Sequence, residues 1–250
     1  MKPRITKAKP AFISHSKETG TDYKIYVDAP DPGLDPGPWP AVLFTDGDFF
    51  FDPAVEAYRA LLKSGRVPPS AIIGLGYGAG FGKPGNFRVR DYTPTPVTGE
   101  PSSGGADRFL RHLSGTLWPE LARRYPLRES GRAIAGHSVG SLLALYAIFQ
   151  DKPFFSLALA SAPSIWWDDR VILEQAAALR DRQAALSGHL YLGVGKNDTP
   201  SMLGDLGLLK KQLRDRPFKG LKVDSKQFPG HDHYDVLPLC FRGGLAALLG

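Results

Sequence analysis

The chain has 250 residues, of which 42% are hydrophobic and 22% are charged, with a formal net charge of +6 and one cysteine. This length and composition fit one large globular domain over residues 1–250, and the single Cys240 excludes a scaffold of internal disulfides. The lysines and arginines form no dense tract, and no apolar run is long enough to cross a bilayer, so neither nucleic acid nor a membrane is expected as a partner. The N-terminus lacks the apolar segment of a secretory signal. A cytoplasmic location is therefore expected, with a mature periplasmic or secreted form left open, and the oligomeric state is not indicated.

Strand-like and helix-like segments alternate along almost the whole chain. In chain order the predicted elements are strand 23–27, strand 39–45, helix 55–64, strand 71–76, helix 106–125, strand 132–135, helix 141–148, strand 156–161, helix 171–186, strand 188–195, helix 206–214, strand 221–228 and helix 237–249. Pro119 is expected to kink or split the helix 106–125. The segment 77–105 is rich in Gly, Pro and Arg, and connections of that length are usually functional or disordered. The alternation predicts an α/β fold with a mainly parallel central sheet and helices on both faces.

The most informative motif is Gly136-His137-Ser138-Val139-Gly140, which has the pattern Gly-x-Ser-x-Gly. An apolar run precedes it and an apolar, helix-like run follows it. A serine in a tight turn between a strand and a helix is presented at the carboxyl edge of the sheet. The motif therefore predicts Ser138 as a nucleophile. The alternative interpretation is a turn rich in Gly and Ser that only connects a strand to a helix.

The partners that such a serine needs come later in the chain. A serine hydroxyl is a weak nucleophile until a base takes its proton, and in this fold pattern an acid and then a histidine follow the serine. Asp198 lies sixty residues after Ser138, just past the predicted strand 188–195. His231 and His233 lie just past the predicted strand 221–228. This order and spacing predict a Ser–Asp–His triad.

Each of these residues also has a plainer interpretation. Asp198 could only begin a turn, and Asp205 is a weaker substitute as the acid. His231 and His233 could bind a metal ion, but no Cys or carboxylate cluster at ligand spacing accompanies them. No metal and no cofactor is therefore predicted. His137, inside the motif, is expected to face away from Ser138 and is interpreted as a packing residue rather than as the base.

An oxyanion formed during catalysis needs two preorganised donors. One is predicted to be the backbone N–H of Val139, at the start of the helix after Ser138. The other is predicted to come from Asp46-Gly47-Asp48, after the strand 39–45, where Gly47 allows close approach of the backbone.

The chain resembles the Putative esterase branch of the α/β-hydrolases, which includes the enterochelin and salmochelin-type siderophore esterases. The resemblance covers nearly the whole chain and rests on four fragments: Arg90-Asp91-Tyr92-Thr93-Pro94, Gly136-His137-Ser138-Val139-Gly140, Ala162-Pro163-Ser164-Ile165-Trp166-Trp167-Asp168 and Gly230-His231-Asp232-His233. The chain departs from the pattern beside the histidine. There His231 stands where an acid is frequent, and Tyr234-Asp235 replaces a small Gly-Ser-like pair.

This resemblance implies a serine hydrolase that cleaves carboxylic esters through an acyl-serine, without a cofactor, acting on a siderophore-type or other polar ester. It implies Ser138 as the nucleophile, His233 rather than His231 as the base, and Asp198 where relatives carry an acid. It also points to the backbone of Asp48 and Val139 as the oxyanion hole. An acyltransferase or peptidase on the same fold, or a non-catalytic binding protein, are the alternatives.

Five further residues are interpreted as substrate contacts. Arg88, Arg90 and Tyr92 lie in the long segment 77–105. The two arginines are suited to meet an anionic or catecholate substrate, because arginine matches the geometry of carboxylate and phosphate groups. Trp166 and Trp167 follow the strand 156–161 and are suited to line a pocket for aromatic acyl groups. The alternatives are solvated charges for the arginines and core packing for a tryptophan.

Overall fold

The computed structural model describes residues 5–250, which form one eight-stranded sheet with helices on both faces. The strands are β1 Phe12–Ser16, β2 Thr21–Asp28, β3 Ala41–Phe44, β4 Ala71–Gly76, β5 Ala133–His137, β6 Leu157–Ser161, β7 Ala185–Gly195 and β8 Lys219–Phe228. Their order in the sheet is β1-β2-β4-β3-β5-β6-β7-β8. Strands β3 to β8 run parallel to one another. Strands β1 and β2 pair antiparallel with each other, and β2 also pairs antiparallel with β4. The prediction of a mainly parallel central sheet is thus confirmed.

Within residues 5–250, eight α-helices cover the two faces of this sheet. They are α1 Gly47–Lys63, α2 Arg88–Tyr92, α3 Ala106–His112, α4 Trp118–Arg124, α5 Val139–Ile148, α6 Trp167–Arg182, α7 Pro200–Asp215 and α8 Leu237–Leu249. Helices α1 and α8 pack on one face, where Phe44, Phe50 and Phe241 pack together. Helices α2 to α7 cover the other face. Both faces of the central parallel strands β3, β4, β5 and β6 are thus buried, which is the normal condition for parallel strands, whereas the edge strand β8 is largely exposed.

Several elements differ from the sequence prediction. Helix α2 lies within the segment 77–105, where no helix was predicted, and α7 begins at Pro200 rather than at residue 206. Strand β1 was not predicted, because its sequence Phe-Ile-Ser-His-Ser is short and mostly polar, yet it pairs with β2 from Phe12 opposite Ile25 onward. Helix α1 begins at Gly47 rather than at residue 55, so the predicted loop Asp46-Gly47-Asp48 includes the first turn of a helix. Helix α6 ends at Arg182, and the chain enters β7 at Ala185.

The predicted helix 106–125 is split, and the split lies before Pro119. A π-helical turn over Leu113–Leu117 separates α3 from α4. Pro119 then occupies the first turn of α4, where its missing N–H costs no hydrogen bond within that helix. The wider turn accommodates the proline without breaking the run of buried side chains Phe109, Leu113 and Leu117.

The order of the strands decides where functional groups can meet. Strands β3, β5, β6, β7 and β8 are parallel, so the loops that follow them emerge at the same edge of the sheet. In open α/β sheets, ligands bind at this carboxyl edge. None of the helices within residues 5–250 is long and apolar enough to span a membrane.

Candidate active site

The turn after β5 holds Ser138 in an unusual backbone conformation. Its φ of 59° and ψ of −121° are disfavoured for a residue with a side chain, at a cost of about 1–3 kcal/mol. The Ser138 N–H donates to the carbonyl of Ser161 at 2.9 Å, which ties the turn to β6. Glycines allow this turn to be tight, since a Cβ on Gly136 would overlap the backbone of Gly140 and one on Gly140 would overlap Thr45 Oγ1. The motif thus forms a strained turn that presents Ser138 at the carboxyl edge.

The Ser138 hydroxyl forms a hydrogen bond with a serine to which the sequence analysis gave no role. Ser138 Oγ lies 3.3 Å from Ser164 Oγ, and the Ser164 N–H donates to the Ser138 carbonyl, also at 3.3 Å. Ser164 is almost completely buried in the loop after β6. Its place after a predicted strand, in Ala162-Pro163-Ser164, was the available signal, because the loops after parallel strands converge at this edge.

A histidine and a carboxylate complete the arrangement. His233 Nδ1 lies 2.9 Å from Asp198 Oδ2, and Asp198 Oδ1 accepts the Thr199 N–H at 2.7 Å. Asp198 is buried, whereas the His233 side chain is 23% exposed. The carboxylate fixes the imidazole so that Nδ1 carries the proton and Nε2 is left as the basic nitrogen.

The loops that carry this acid and this histidine are joined through their backbones. The Asn197 N–H donates to the carbonyl of His231 at 2.9 Å. A Cβ on Gly195 would overlap that same carbonyl, so glycine permits the close approach of the two loops. This contact holds Asp198 beside His233 independently of their side-chain hydrogen bond.

The rival acid and the rival histidine have other partners. Asp205 is buried against Arg170, whose Nε lies 2.6 Å from Asp205 Oδ1. His231 Nδ1 lies 3.2 Å from Asp235 Oδ1. Within the described part of the chain, no three His, Cys, Asp or Glu side chains are grouped so that they could hold a metal ion. Asp198 and His233 are thus the acid and the histidine that the fold brings together near Ser138.

His137 packs beneath the histidine of this pair. Its ring centroid lies 4.8 Å from that of His233, and its Nδ1 lies 2.9 Å from Ser161 Oγ. Burial lowers the pKa of His137 well below its usual value, so its ring is neutral at pH 7. His137 also lines the same cavity as Ser138, although it was expected to face away from that serine. The neutral His137 ring packs against the His233 ring and thereby supports the orientation of His233.

The two predicted oxyanion donors lie at the starts of two helices. Val139 is the first residue of α5 and Asp48 is the second residue of α1, so neither N–H has an acceptor within its own helix. The buried Asp48 carboxylate accepts hydrogen bonds from the Tyr26 hydroxyl at 2.7 Å, the Tyr77 N–H at 2.6 Å and the Gly78 N–H at 2.8 Å. These three bonds fix the start of α1 against the end of β4, and with it the direction of the Asp48 N–H.

Arg88 lies at this edge with its charge already paired. Its Nε and Nη2 lie 3.0 and 2.9 Å from the two carboxylate oxygens of Asp46. Its guanidinium also lies 4.8 Å from the ring centroid of Phe81. Burial raises the pKa of the Asp46 carboxyl, and Arg88 opposes that rise. Removing one partner of such a buried pair costs about 3–5 kcal/mol, so Arg88 has a structural role in addition to lining the cavity.

The other predicted substrate contacts lie outside the cavity that contains Ser138. Arg90 binds the carboxylate of Asp91, with Nε 2.7 Å from Oδ1, and Tyr92 is fully buried. The Trp167 Nε1–H donates to a backbone carbonyl at 3.2 Å, and Trp166 is 46% exposed on the surface. Of the five residues, the structure places only Arg88 in the lining.

The cavity has a volume of about 600 Å³, within the usual range for small-molecule sites. Ser138, His137, His233 and Arg88 form its polar floor. Its walls are largely apolar and consist of Phe49, Phe50, Pro53, Phe81, Leu237 and Pro238. Four further polar side chains complete the lining, namely Asp52, Glu56, Tyr234 and Asp235.

The fold and this site together define a serine hydrolase of the α/β-hydrolase class. The strained serine turn, the Asp–His pair and the helix N-termini all lie at one edge of a mainly parallel sheet. The chain belongs to the Putative esterase family, whose model matches residues 16–235. The family indicated by the sequence motifs is thus confirmed.

Two curated relatives share substantial sequence with this chain. The siderophore triacetylfusarinine C esterase of Aspergillus fumigatus is 36% identical over 169 residues, which cover 64% of this chain and 58% of that protein. The ferri-bacillibactin esterase BesA of Bacillus subtilis is 26% identical over 246 residues, which cover 90% of this chain and 83% of that protein.

A solved structure shows the same fold over the full length of the chain. The siderophore hydrolase EstB from Aspergillus nidulans superposes with a TM-score of 0.83 at 26% sequence identity. The superposition covers 100% of this chain and 98% of that one.

Proposed function

We propose that this protein hydrolyses carboxylic esters of the siderophore type through an acyl-serine formed on Ser138. The observation that carries the proposal is the pair His233 Nδ1–Asp198 Oδ2, 2.9 Å apart, because His233 lines the same cavity as Ser138. Membership of an esterase family and the esterase and hydrolase names of the relatives support it. The cavity volume and its mixed apolar and polar lining suit a sizeable organic ester.

The first half of the reaction forms the acyl-enzyme. The Ser138 side chain rotates, so that its hydroxyl leaves the hydrogen bond with Ser164 and forms one with His233 Nε2. His233 Nε2 then takes the serine proton as Ser138 Oγ attacks the ester carbonyl carbon. The Val139 and Asp48 N–H groups stabilise the negative charge on the carbonyl oxygen. The C–O bond to the alcohol then breaks, and His233 returns its proton to the leaving alkoxide oxygen.

The second half releases the acid. His233 takes a proton from a water molecule, whose oxygen attacks the acyl carbon of the Ser138 ester. The same two N–H groups stabilise the second oxyanion. The bond between Ser138 Oγ and the acyl carbon breaks, the proton on His233 passes to Oγ, and the enzyme returns to its starting state. Asp198 stabilises the imidazolium in both halves.

Competition between water and an alcohol tests for the acyl-enzyme. Two esters of one acid, with p-nitrophenol and phenol as leaving groups, are hydrolysed in the presence of methanol. Because both esters must form the same acyl-Ser138, the ratio of methyl ester to free acid should be identical for the two. The products are quantified by liquid chromatography.

A ratio that changes with the leaving group would show direct attack on the ester and would contradict the proposal. Turnover that requires an added acceptor and gives no free acid would instead favour an acyltransferase. Absence of turnover for both esters, with folded protein, would contradict the enzyme proposal itself.

A further inference from the structure

The cavity that contains Ser138 carries an excess of negative charge on its walls. Asp52, Glu56 and Asp235 line it, and none of them is bound to a lysine or arginine side chain within the described residues. The whole chain, in contrast, has a formal net charge of +6. The positive charge of this protein therefore lies elsewhere on its surface, and the cavity has the opposite sign.

The remaining ionisable groups of the lining do not offset these carboxylates. Arg88 is the one strongly basic side chain among the lining residues, and its charge is compensated by the bidentate contact with Asp46. His137 is neutral because its burial lowers its pKa. His233 is paired with the buried Asp198 carboxylate, which compensates a charge on its ring.

The carboxylates come from two separate elements of the fold. Asp52 and Glu56 are four residues apart on α1, so they stand on one face of that helix. Both also line an adjoining depression of about 590 Å³. Asp235 precedes α8 and is held by the Asp232 N–H, which donates to its Oδ1 at 2.8 Å. These three side chains, which we call the acidic wall, line the same cavity as Ser138.

We propose that the acidic wall makes this esterase selective for neutral and cationic esters over polyanionic ones. Among iron-chelating esters, this selectivity by charge distinguishes hydroxamate complexes from catecholate complexes. A ferric complex of three hydroxamates is electrically neutral, whereas a ferric complex of three catecholates carries three negative charges. The wall repels the second and admits the first. This inference rests on the proposed function and adds a substrate class to it.

A matched series of esters tests the selectivity. Three p-nitrophenyl esters share one acyl chain and end in a trimethylammonium, a tert-butyl or a carboxylate group. We expect kcat/KM to be at least tenfold higher for the cationic than for the anionic ester at low ionic strength. This ratio should fall as salt is added, because solvent-exposed charges are screened.

Neutralising the wall should reduce that ratio. Each of Asp52→Asn, Glu56→Gln and Asp235→Asn is expected to lower it by about threefold to tenfold, the effect of one charge about 10 Å from the ligand charge in a medium between protein and water. Glu174→Gln, an exposed acid on α6 outside the cavity, is the matched control and should leave the ratio unchanged.

A cation-to-anion ratio near one, or a ratio that the triple variant does not change, would overturn the inference while leaving the proposed function intact. If folded protein hydrolyses none of the three esters, the proposed function fails and the inference fails with it. Ferric tris-hydroxamate and tris-catecholate esters provide the same comparison on iron complexes, with product formation followed by mass spectrometry.

Discussion

Replacing Ser138 with alanine is expected to lower kcat/KM for an activated ester by about 10⁵-fold, to the level that binding and oxyanion stabilisation alone provide. The reason is that Ser138 lies in a strained turn at the N-terminus of α5 and lines the same cavity as His233. Steady-state hydrolysis of a p-nitrophenyl ester measures the loss, and circular dichroism with thermal unfolding checks that the variant is folded.

The neighbouring serine is the matched control for this variant. Ser164 Oγ lies 3.3 Å from Ser138 Oγ, so it shares the same surroundings. Since Ser164 only positions the nucleophile, Ser164→Ala should lower kcat/KM by about tenfold or less. If Ser138→Ala retained activity and Ser164→Ala lost it, the nucleophile would have to be reassigned.

Replacing Asp198 with asparagine is expected to lower kcat by about 10⁴-fold while leaving KM nearly unchanged. An amide in this position keeps the side-chain volume but favours the wrong tautomer of His233 and no longer stabilises its imidazolium. The loss should appear with every ester tested, because it concerns proton transfer and not substrate binding. Initial-rate kinetics over a range of substrate concentrations separate kcat from KM.

Asp205→Asn is the control for this second prediction. Asp205 is also a buried acid after β7, within α7, but it binds Arg170, whereas His233 binds Asp198. Its replacement should leave kcat close to that of the parent enzyme. A loss with Asp205→Asn equal to the loss with Asp198→Asn would contradict the assignment of Asp198 to His233.

Much of the fold could be predicted from sequence because its elements carry strong local patterns. The apolar runs of β4 to β7 are buried on both faces, so they differ sharply from the polar loops between them. The start of α1 was not predicted. Its first turn, Gly47-Asp48, is stabilised by contacts of the Asp48 carboxylate with β2 and the end of β4, which no local pattern reveals.

The site was predictable to the extent that strand order decides which loops meet. Ser138, Asp198 and His233 each follow a parallel strand, and the structure places the latter two in hydrogen-bond contact. Their catalytic roles stay predictions, as do the roles of the oxyanion donors. Of the five predicted substrate contacts, only Arg88 lines the cavity. The sequence does not tell which arginine charges are already paired with a carboxylate. Asp46 and Asp91 hold the two arginines in the structure.

The acidic wall was not apparent from sequence for a related reason. Asp52 and Glu56 are ordinary exposed acids of an amphipathic helix, and only the closeness of α1 to α8 brings them near Asp235. In the sequence these acids are scattered among many lysines and arginines. The fold determines which of the charges face one cavity, and there they act together on a ligand.

The most direct test of the central claim is to treat the protein with a fluorophosphonate and locate the adduct by peptide mass spectrometry. One adduct is expected on Ser138, lost in Ser138→Ala and strongly reduced in His233→Ala, because the serine reacts only when His233 removes its proton. An adduct on another residue, or labelling that survives Ser138→Ala, would contradict the account. So would a folded protein that does not react with the reagent at all.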